Sequence, residues 1–324
     1  MGHKRAFMLP EALSYAGVTV FVLASFAGMA SVTDKITIEK ERRAELGLDL
    51  VNNIRDLAPR APLAEKDNAA ALYRKSDLAI SEEVQEAMLA VLDGRPANRD
   101  AVRDFIRAHK ESLDFLKSAS QRPRFHLTPN LSEPYLAEYE PLKHGAMVFA
   151  VKSVLDREPE HLKIAARITR HSAEGSFRES AHAHFLGRLY VFKALDRLGV
   201  EKPDIVELMG PEPNLKRMLR GELIHDLALA KADPTFQSNP IMPMFGRTAE
   251  SRLMRLWHDA FPRIPGEPEK YFEAVGFFDQ FEARYRRRRV IGRYFREGYA
   301  DLARLAQEAR ELRLKHEEIV VETQ

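Results

Sequence analysis

Arg99 to Ser118 reads RDAVRDFIRAHKESLDFLKS. Val102, Phe105, Ile106, His109, Leu113 and Leu116 fall on one side of a 3.6-residue period, and charged residues fill the opposite side. A half-buried strand would instead put an apolar residue at every second position. The spacing predicts one amphipathic helix over the whole stretch. Most of the chain after residue 34 repeats its period.

Just upstream, Ser81 precedes Glu82 and Glu83, and Gly94 follows Asp93. A capping hydroxyl, two acids against the helix dipole and a left-handed terminator predict a helix over 81–93. A short helix is expected over 67–80. Leu46, Leu50, Ile54 and Leu57 mark an amphipathic connecting helix within 34–58, and APRAPLAEKD (Ala58 to Asp67) reads as the linker, over 59–66, into a main helical domain spanning 67–318. Downstream, helices are expected over 134–155, 159–174, 177–199, 214–232, 247–261, 268–282 and 284–317, with a tail at 319–324. Prolines at 203, 211 and 213, from 234 to 243 and from 262 to 268 punctuate them. Strand signals shrink to ITI at 36–38 and IVV at 319–321, too short to build a sheet. The expected fold class is all-α: an N-terminal transmembrane helix followed by an irregular antiparallel helical array, solenoid-like or bundle. No 34-residue self-similarity of the tetratricopeptide kind is present.

The chain has 324 residues, 50 Lys and Arg against 48 Asp and Glu, and no cysteine. Near-neutral charge argues against a chain built for polyanions at large, and the absence of thiols removes disulfides, cysteine metal sites and cysteine nucleophiles. From Ala12 to Thr33 run 22 residues without a charge, enough for a helix to cross a hydrocarbon core of about 30 Å. Residues 1–33 are therefore expected to be a retained signal-anchor, with cleavage after Ala30 as the alternative and a buried helix as the third reading. Lys4 and Arg5 precede the span, whereas Lys35, Lys40, Arg42 and Arg43 follow it. That count opposes an N-in orientation. The short N-terminus ahead of the first apolar segment favours it, and an extracytoplasmic main domain is the expectation. Ala24/Gly28 and Ala27/Ser31, each four apart, are compatible with a homodimer through this span.

Phosphate-loop, dinucleotide, zincin and nucleophile-elbow motifs are absent. The most chemical pattern is Glu-x-x-His, at Glu158/His161, Glu179/His182 and Glu222/His225. Spaced three apart, each pair shares a helix face, and two such helices with two further Glu can hold a pair of metal ions. Glu158 stands at a helix start and reads as dipole compensation, which leaves Glu179, His182, Glu222 and His225 as the candidate iron or manganese ligands. Buried Glu–His hydrogen bonds are the plainer reading of the same spacing. HSAEGSFRESAHAH (His171 to His184) reads as a helix–helix corner with solvated histidines. Arg284, Arg286, Arg287, Arg288, Arg289, Arg293 and Arg296 are interleaved with tyrosine and phenylalanine, a candidate lipid- or partner-binding helix or a salt-bridged face. Residues 234–268 read as a long loop carrying Met242, Met244 and Phe245, and Phe272 to Tyr285 as core.

Asn68-Ala69-Ala70 with Leu72-Tyr73 opens the domain, an aromatic and proline loop runs from Phe125 to Pro134, and a later helix carries Leu219-Arg220-Gly221-Glu222. Over roughly 67–230 this arrangement resembles single-span, all-helical bacterial ectodomain proteins of no established activity. The resemblance implies an anchored helical domain and supplies no catalytic residues. The expected function is a membrane-anchored interaction or scaffold protein of the bacterial cell envelope, with a protein partner there, no cofactor and no nucleic acid. One alternative is a metal-dependent helix-bundle enzyme using the Glu-x-x-His pairs. Another is a cytoplasm-facing protein that holds lipid or nucleic acid on Arg284–Arg296.

Overall fold

A computed structural model describes residues 29, 32–33, 36–37, 63–199, 203–233, 242–286 and 298–322. The helices are α1 (Ala70–Tyr73), α2 (Glu82–Asp93), α3 (Arg99–Ala108), α4 (Lys110–Ser120), α5 (Glu140–Asp156), α6 (Glu160–Ser172) and α7 (Arg178–Leu198). They continue with α8 (Pro203–Leu208), α9 (Leu215–Met218), α10 (Glu222–Ala232), α11 (Met242–Ala260), α12 (Tyr271–Arg286) and α13 (Tyr299–Glu322). Among the described residues the only β pairing is an isolated bridge between Asn68 and Arg124. The fold is all-α. No helix among them is long and apolar enough to cross a membrane. The span expected over 12–33 lies outside the described residues apart from Met29, Val32 and Thr33, as does most of the connecting helix at 34–58.

Helix α5 is the centre. Its run Gly145–Val151 is apolar all round, and from Ala146 to Val151 no residue exposes more than 3%, the pattern of a helix surrounded by others rather than lying on a surface. α5 packs on α6 and α7, and α6 packs on α7. The turns between them are short, at 157–159 and 173–177, so the three run antiparallel. α6 and α7 approach closely where Gly187 faces Thr169: a Cβ at Gly187 would lie 2.3 Å from the Thr169 Oγ1. One apolar cluster joins α1 to α8 around α5, and a second joins the start of α7 to α9–α13. Helix α7 feeds both clusters, through Tyr190 and Phe192 in the first and Ala181 and Phe185 in the second.

Polar ties close each half. In the first, His171 accepts from the Tyr73 hydroxyl at Nδ1 (2.9 Å) and donates from Nε2 to the Arg122 carbonyl (2.9 Å), which binds α1 and the chain after α4 to α6. In the second, buried Trp257 donates to buried Asp226 (2.7 Å), joining α11 to α10. The Glu282 carboxylate accepts from the backbone N–H groups of Gly298, Tyr299 and Ala300, an acid on the orphan donors that open α13.

Several sequence expectations are corrected. The stretch from Arg99 to Ser118 is two helices. His109 leaves helical geometry (φ −103°, ψ 27°) and its ring stacks on Phe105 at 4.1 Å, with Nδ1 on the Phe105 carbonyl. The apolar face nevertheless survives the break, with Val102, Phe105, Leu113 and Leu116 buried. The region 67–80 holds one helical turn, α1, and 214–232 splits into α9 and α10. Within 284–317, α13 starts afresh at Tyr299 after Gly298, whose φ of +102° no continuing helix permits. Met242, Met244 and Phe245 belong to helix α11, not to a loop. Residues 319–322 continue α13.

His171 and His184 are both fully buried, and burial pushes them down to about 4 and about 3. Below pH 6.5 the unfolded chain therefore takes up protons that the fold refuses, and stability falls as pH drops from 6.5 to 4. For His171 the loss is on the order of 3 kcal/mol. Urea midpoints should fall steadily over that interval, and His171→Gln should lower stability at pH 7 while flattening the slope. A midpoint constant from pH 7 to 4 would contradict this.

Candidate functional site

The segment singled out as Leu219-Arg220-Gly221-Glu222 docks on the turn between α6 and α7. Leu219 is fully buried. Arg220 donates from Nε to the Ser176 Oγ (3.1 Å), and the Gly221 N–H donates to the Ser176 carbonyl (2.8 Å). Glu222, fully buried, accepts from the Arg178 N–H at 2.6 Å and from the Tyr299 hydroxyl. Glycine is required at 221 by proximity: a Cβ there would lie 2.7 Å from both the Ser176 carbonyl oxygen and the Phe177 ring.

Beside this docked segment lies a cleft of about 810 Å³, the size of small-molecule sites. The end of α6 supplies Arg170 and Ala173, the turn supplies Glu174 to Ser176, the α8–α9 loop supplies Met209 to Asn214, and α9 with its exit supplies Arg217, Met218 and Arg220. Arg124, His126 and Leu63 complete the wall. The loop is held from several sides. Buried Arg188 donates to the Gly210 carbonyl (3.3 Å), Tyr271 donates to the Pro213 carbonyl, and Asn214 caps α9 by accepting from the Arg217 N–H (3.1 Å). On the opposite wall, the Asn68 side chain pairs with the backbone of His126 through both its oxygen and its nitrogen (3.0 Å each). Of the segments named above, the Phe125–Pro134 loop gives His126 to the cleft and Leu219–Glu222 gives Arg220, while Asn68 reaches it only through its bonds to the His126 backbone.

Four arginines and two carboxylates line it. Both carboxylates are engaged: Glu174 accepts from the Arg124 Nε (3.1 Å) and the Phe125 N–H (3.2 Å), and Glu212 accepts from Arg310 on α13 (3.2 Å). Arg170, Arg217 and Arg220 have no ion-pair partner among the described residues. Burial holds the His126 imidazole below its ordinary value, against the opposing pull of Glu174, so near neutral pH the ring adds hydrogen bonding rather than charge. The arrangement suits binding of negative charge.

None of the candidate metal ligands Glu179, His182, Glu222 and His225 lines this cleft. Glu179, Glu222 and His225 are buried and His182 is exposed. Glu179 meets Arg178 at 3.1 Å, and His225 donates from Nε2 to the Glu133 carbonyl (2.7 Å). Among the described residues no three His, Asp or Glu gather as a metal-binding group. Of the arginine cluster, Arg284 is exposed on an open groove with Asp259, Arg263, Phe277 and Phe281, and Arg286 lies in α12. Arg287, Arg288, Arg289, Arg293 and Arg296 lie outside the described residues. The stretch from His171 to His184 is the expected corner, with Ser180 bonded back to the Phe177 backbone, but its histidines are not solvated as expected: His171 and His184 are fully buried and only His182 is exposed. In Phe272–Tyr285, Phe278 and Phe281 are core whereas Phe272 is 73% exposed.

Sequence reasoning missed Arg170, Arg217 and Arg220 as a group. Arg217 and Arg220 lie three apart on one segment, but Arg170 comes from another element 47 positions earlier, and the prolines at 211 and 213 were the one local sign of a constrained loop between them.

Two glycines test the docking. Gly221→Ala should destabilise the protein by about 1–3 kcal/mol through overpacking against the turn. Gly276→Ala, in α12 with nothing within 4 Å of the new methyl, should stabilise it by up to about 1 kcal/mol. Equal effects at both positions, read from urea unfolding, would contradict the docked geometry. Comparison of the chain with protein-family models, with characterised proteins and with solved structures finds no match to any of them.

Proposed function

We propose that this chain is a membrane-attached recognition protein of the bacterial envelope, not an enzyme, and that it binds an anionic ligand or the anionic group of a partner in the cleft between the α6–α7 turn and α9. Residues 12–33 tether it, and the helical domain lies outside the cytoplasm. The observation that carries the binding role is the set of three arginines, Arg170, Arg217 and Arg220, that line one cleft without an ion-pair partner among the described residues. Guanidinium groups grouped in a concave wall focus positive potential and present fork-shaped donors to oxyanions. The tether rests on the uncharged run from Ala12 to Thr33.

Both halves are testable. In calorimetric titration at low salt, the full chain in detergent should bind dianions. Arg170→Gln and Arg217→Gln should each weaken binding by about 10- to 100-fold, the equivalent of one charge-assisted hydrogen bond of about 1.5–3 kcal/mol. Binding that ignores these substitutions, or no binding of any anion, would contradict the cleft. A reporter active only outside the cytoplasm, fused after Gln324, should be active, and activity of a cytoplasm-only reporter instead would contradict the orientation.

A further inference from the structure

The cleft also carries information on what kind of anion it takes, an inference that rests on the anion-binding reading above. We infer that its ligand is a phosphate monoester on an aliphatic or polyhydroxylated body, such as a glycerol- or sugar-phosphate group, rather than a carboxylate or a nucleotide.

Three properties of the wall lead there. The first is charge. With Glu174 held by Arg124 and Glu212 held by Arg310, three guanidinium groups are left over. A single carboxylate would leave the wall strongly positive, whereas a phosphate monoester brings close to two negative charges near neutral pH. The second is the origin of the donors. Arg170 lies in the last turn of α6, whereas Arg217 lies in α9 and Arg220 just after it, so donors reach the cleft from two separate parts of the fold. Separate donors match a tetrahedral group with three terminal oxygens better than a planar carboxylate, which one guanidinium satisfies in a single plane.

The third is the remainder of the lining. An oxyanion of five heavy atoms fills on the order of 100 Å³, taking a water-sized atom as at most about 30 Å³. The cleft of about 810 Å³ therefore has room for a body attached to the phosphate. The apolar side chains available to that body are aliphatic or thioether, among them Met209, Pro211, Pro213 and Met218. No Phe, Tyr or Trp lines the cleft among the described residues, so the His126 imidazole is the one aromatic ring there that a nucleobase would meet.

One phosphomonoester chemistry has two sources, a soluble metabolite and a lipid headgroup, and the test separates them. The full chain in detergent is titrated with glycerol 3-phosphate, with dioctanoyl phosphatidate, with succinate as the dicarboxylate and with adenosine monophosphate. Glycerol 3-phosphate or phosphatidate should bind at least tenfold tighter than succinate, and adenosine monophosphate should gain nothing over the better of them. Tighter binding of glycerol 3-phosphate marks the soluble source, and tighter binding of phosphatidate marks the lipid. Arg170→Gln should remove the preference, with an unchanged thermal midpoint showing that the fold is intact. Should Arg170→Gln fail to fold, Arg217→Gln, at an exposed position, gives the same readout. Glu174→Gln, which removes a negative charge from the wall, should tighten phosphate binding several-fold. Succinate binding as tightly as the phosphates, with the arginine variants still weakening it, would overturn the phosphate assignment and leave the anion cleft standing. Tightest binding of adenosine monophosphate would likewise overturn the aliphatic body. No binding of any of the four would overturn both.

Discussion

The docking of Leu219–Glu222 on the turn at Ser176–Arg178 is the contact on which the rest of the molecule is arranged. It combines a fully buried leucine, a backbone bond from Gly221 to the Ser176 carbonyl, and a fully buried carboxylate on the Arg178 N–H and the Tyr299 hydroxyl. A carboxylate without access to water is tolerated only where donors surround it. The Glu222 side chain therefore holds together the starts of α7, α10 and α13, which belong to both apolar clusters. The same demand for donors explains Glu282 at the head of α13 and Asp226 under Trp257. The second half of the chain is organised by three buried acids as much as by its apolar packing.

The cleft follows from that docking. With Gly221 drawn onto the turn, Arg220 is fixed against Ser176, and the short helix α9 just before it brings Arg217 to the same wall as Arg170. The intervening loop is pinned by Arg188 beneath, by Tyr271 at Pro213 and by the Glu212–Arg310 pair. A wall held this way loses little freedom when a ligand enters, the condition under which a few charged contacts suffice for useful affinity.

The helical class was legible in the sequence because apolar residues repeat with the helical period and prolines and glycines mark most ends. Ser81 and Gly94 bounded α2 as capping chemistry requires. Breaks decided by side chains were not legible. α3 ends at His109, whose ring lies on Phe105 and whose Nδ1 reaches the Phe105 carbonyl, and α9 separates from α10 where Leu219–Glu222 turns onto a distant loop. The Glu-x-x-His pairs show the limit most sharply: spacing put Glu222 and His225 on one helix face, and only packing shows that one answers Tyr299 and Arg178 while the other answers Glu133. Arg170, Arg217 and Arg220 were invisible as a site: Arg217 and Arg220 lie three apart, but Arg170 stands 47 positions before them and no periodicity connects it to that pair. The part of the arginine run beyond Arg286 and most of the apolar span near the N-terminus fall outside the described residues.

The central claim is that three arginines share one cleft as an oxyanion site. Its most direct test is a crystal structure of the protein grown with tungstate, located by anomalous scattering. The account expects a tungstate in the cleft, with oxygens about 2.7–3.2 Å from guanidinium nitrogens of Arg170, Arg217 or Arg220. A map in which tungstate occupies other surfaces but not this cleft, or in which carboxylates of the chain itself pair with those arginines, would contradict it.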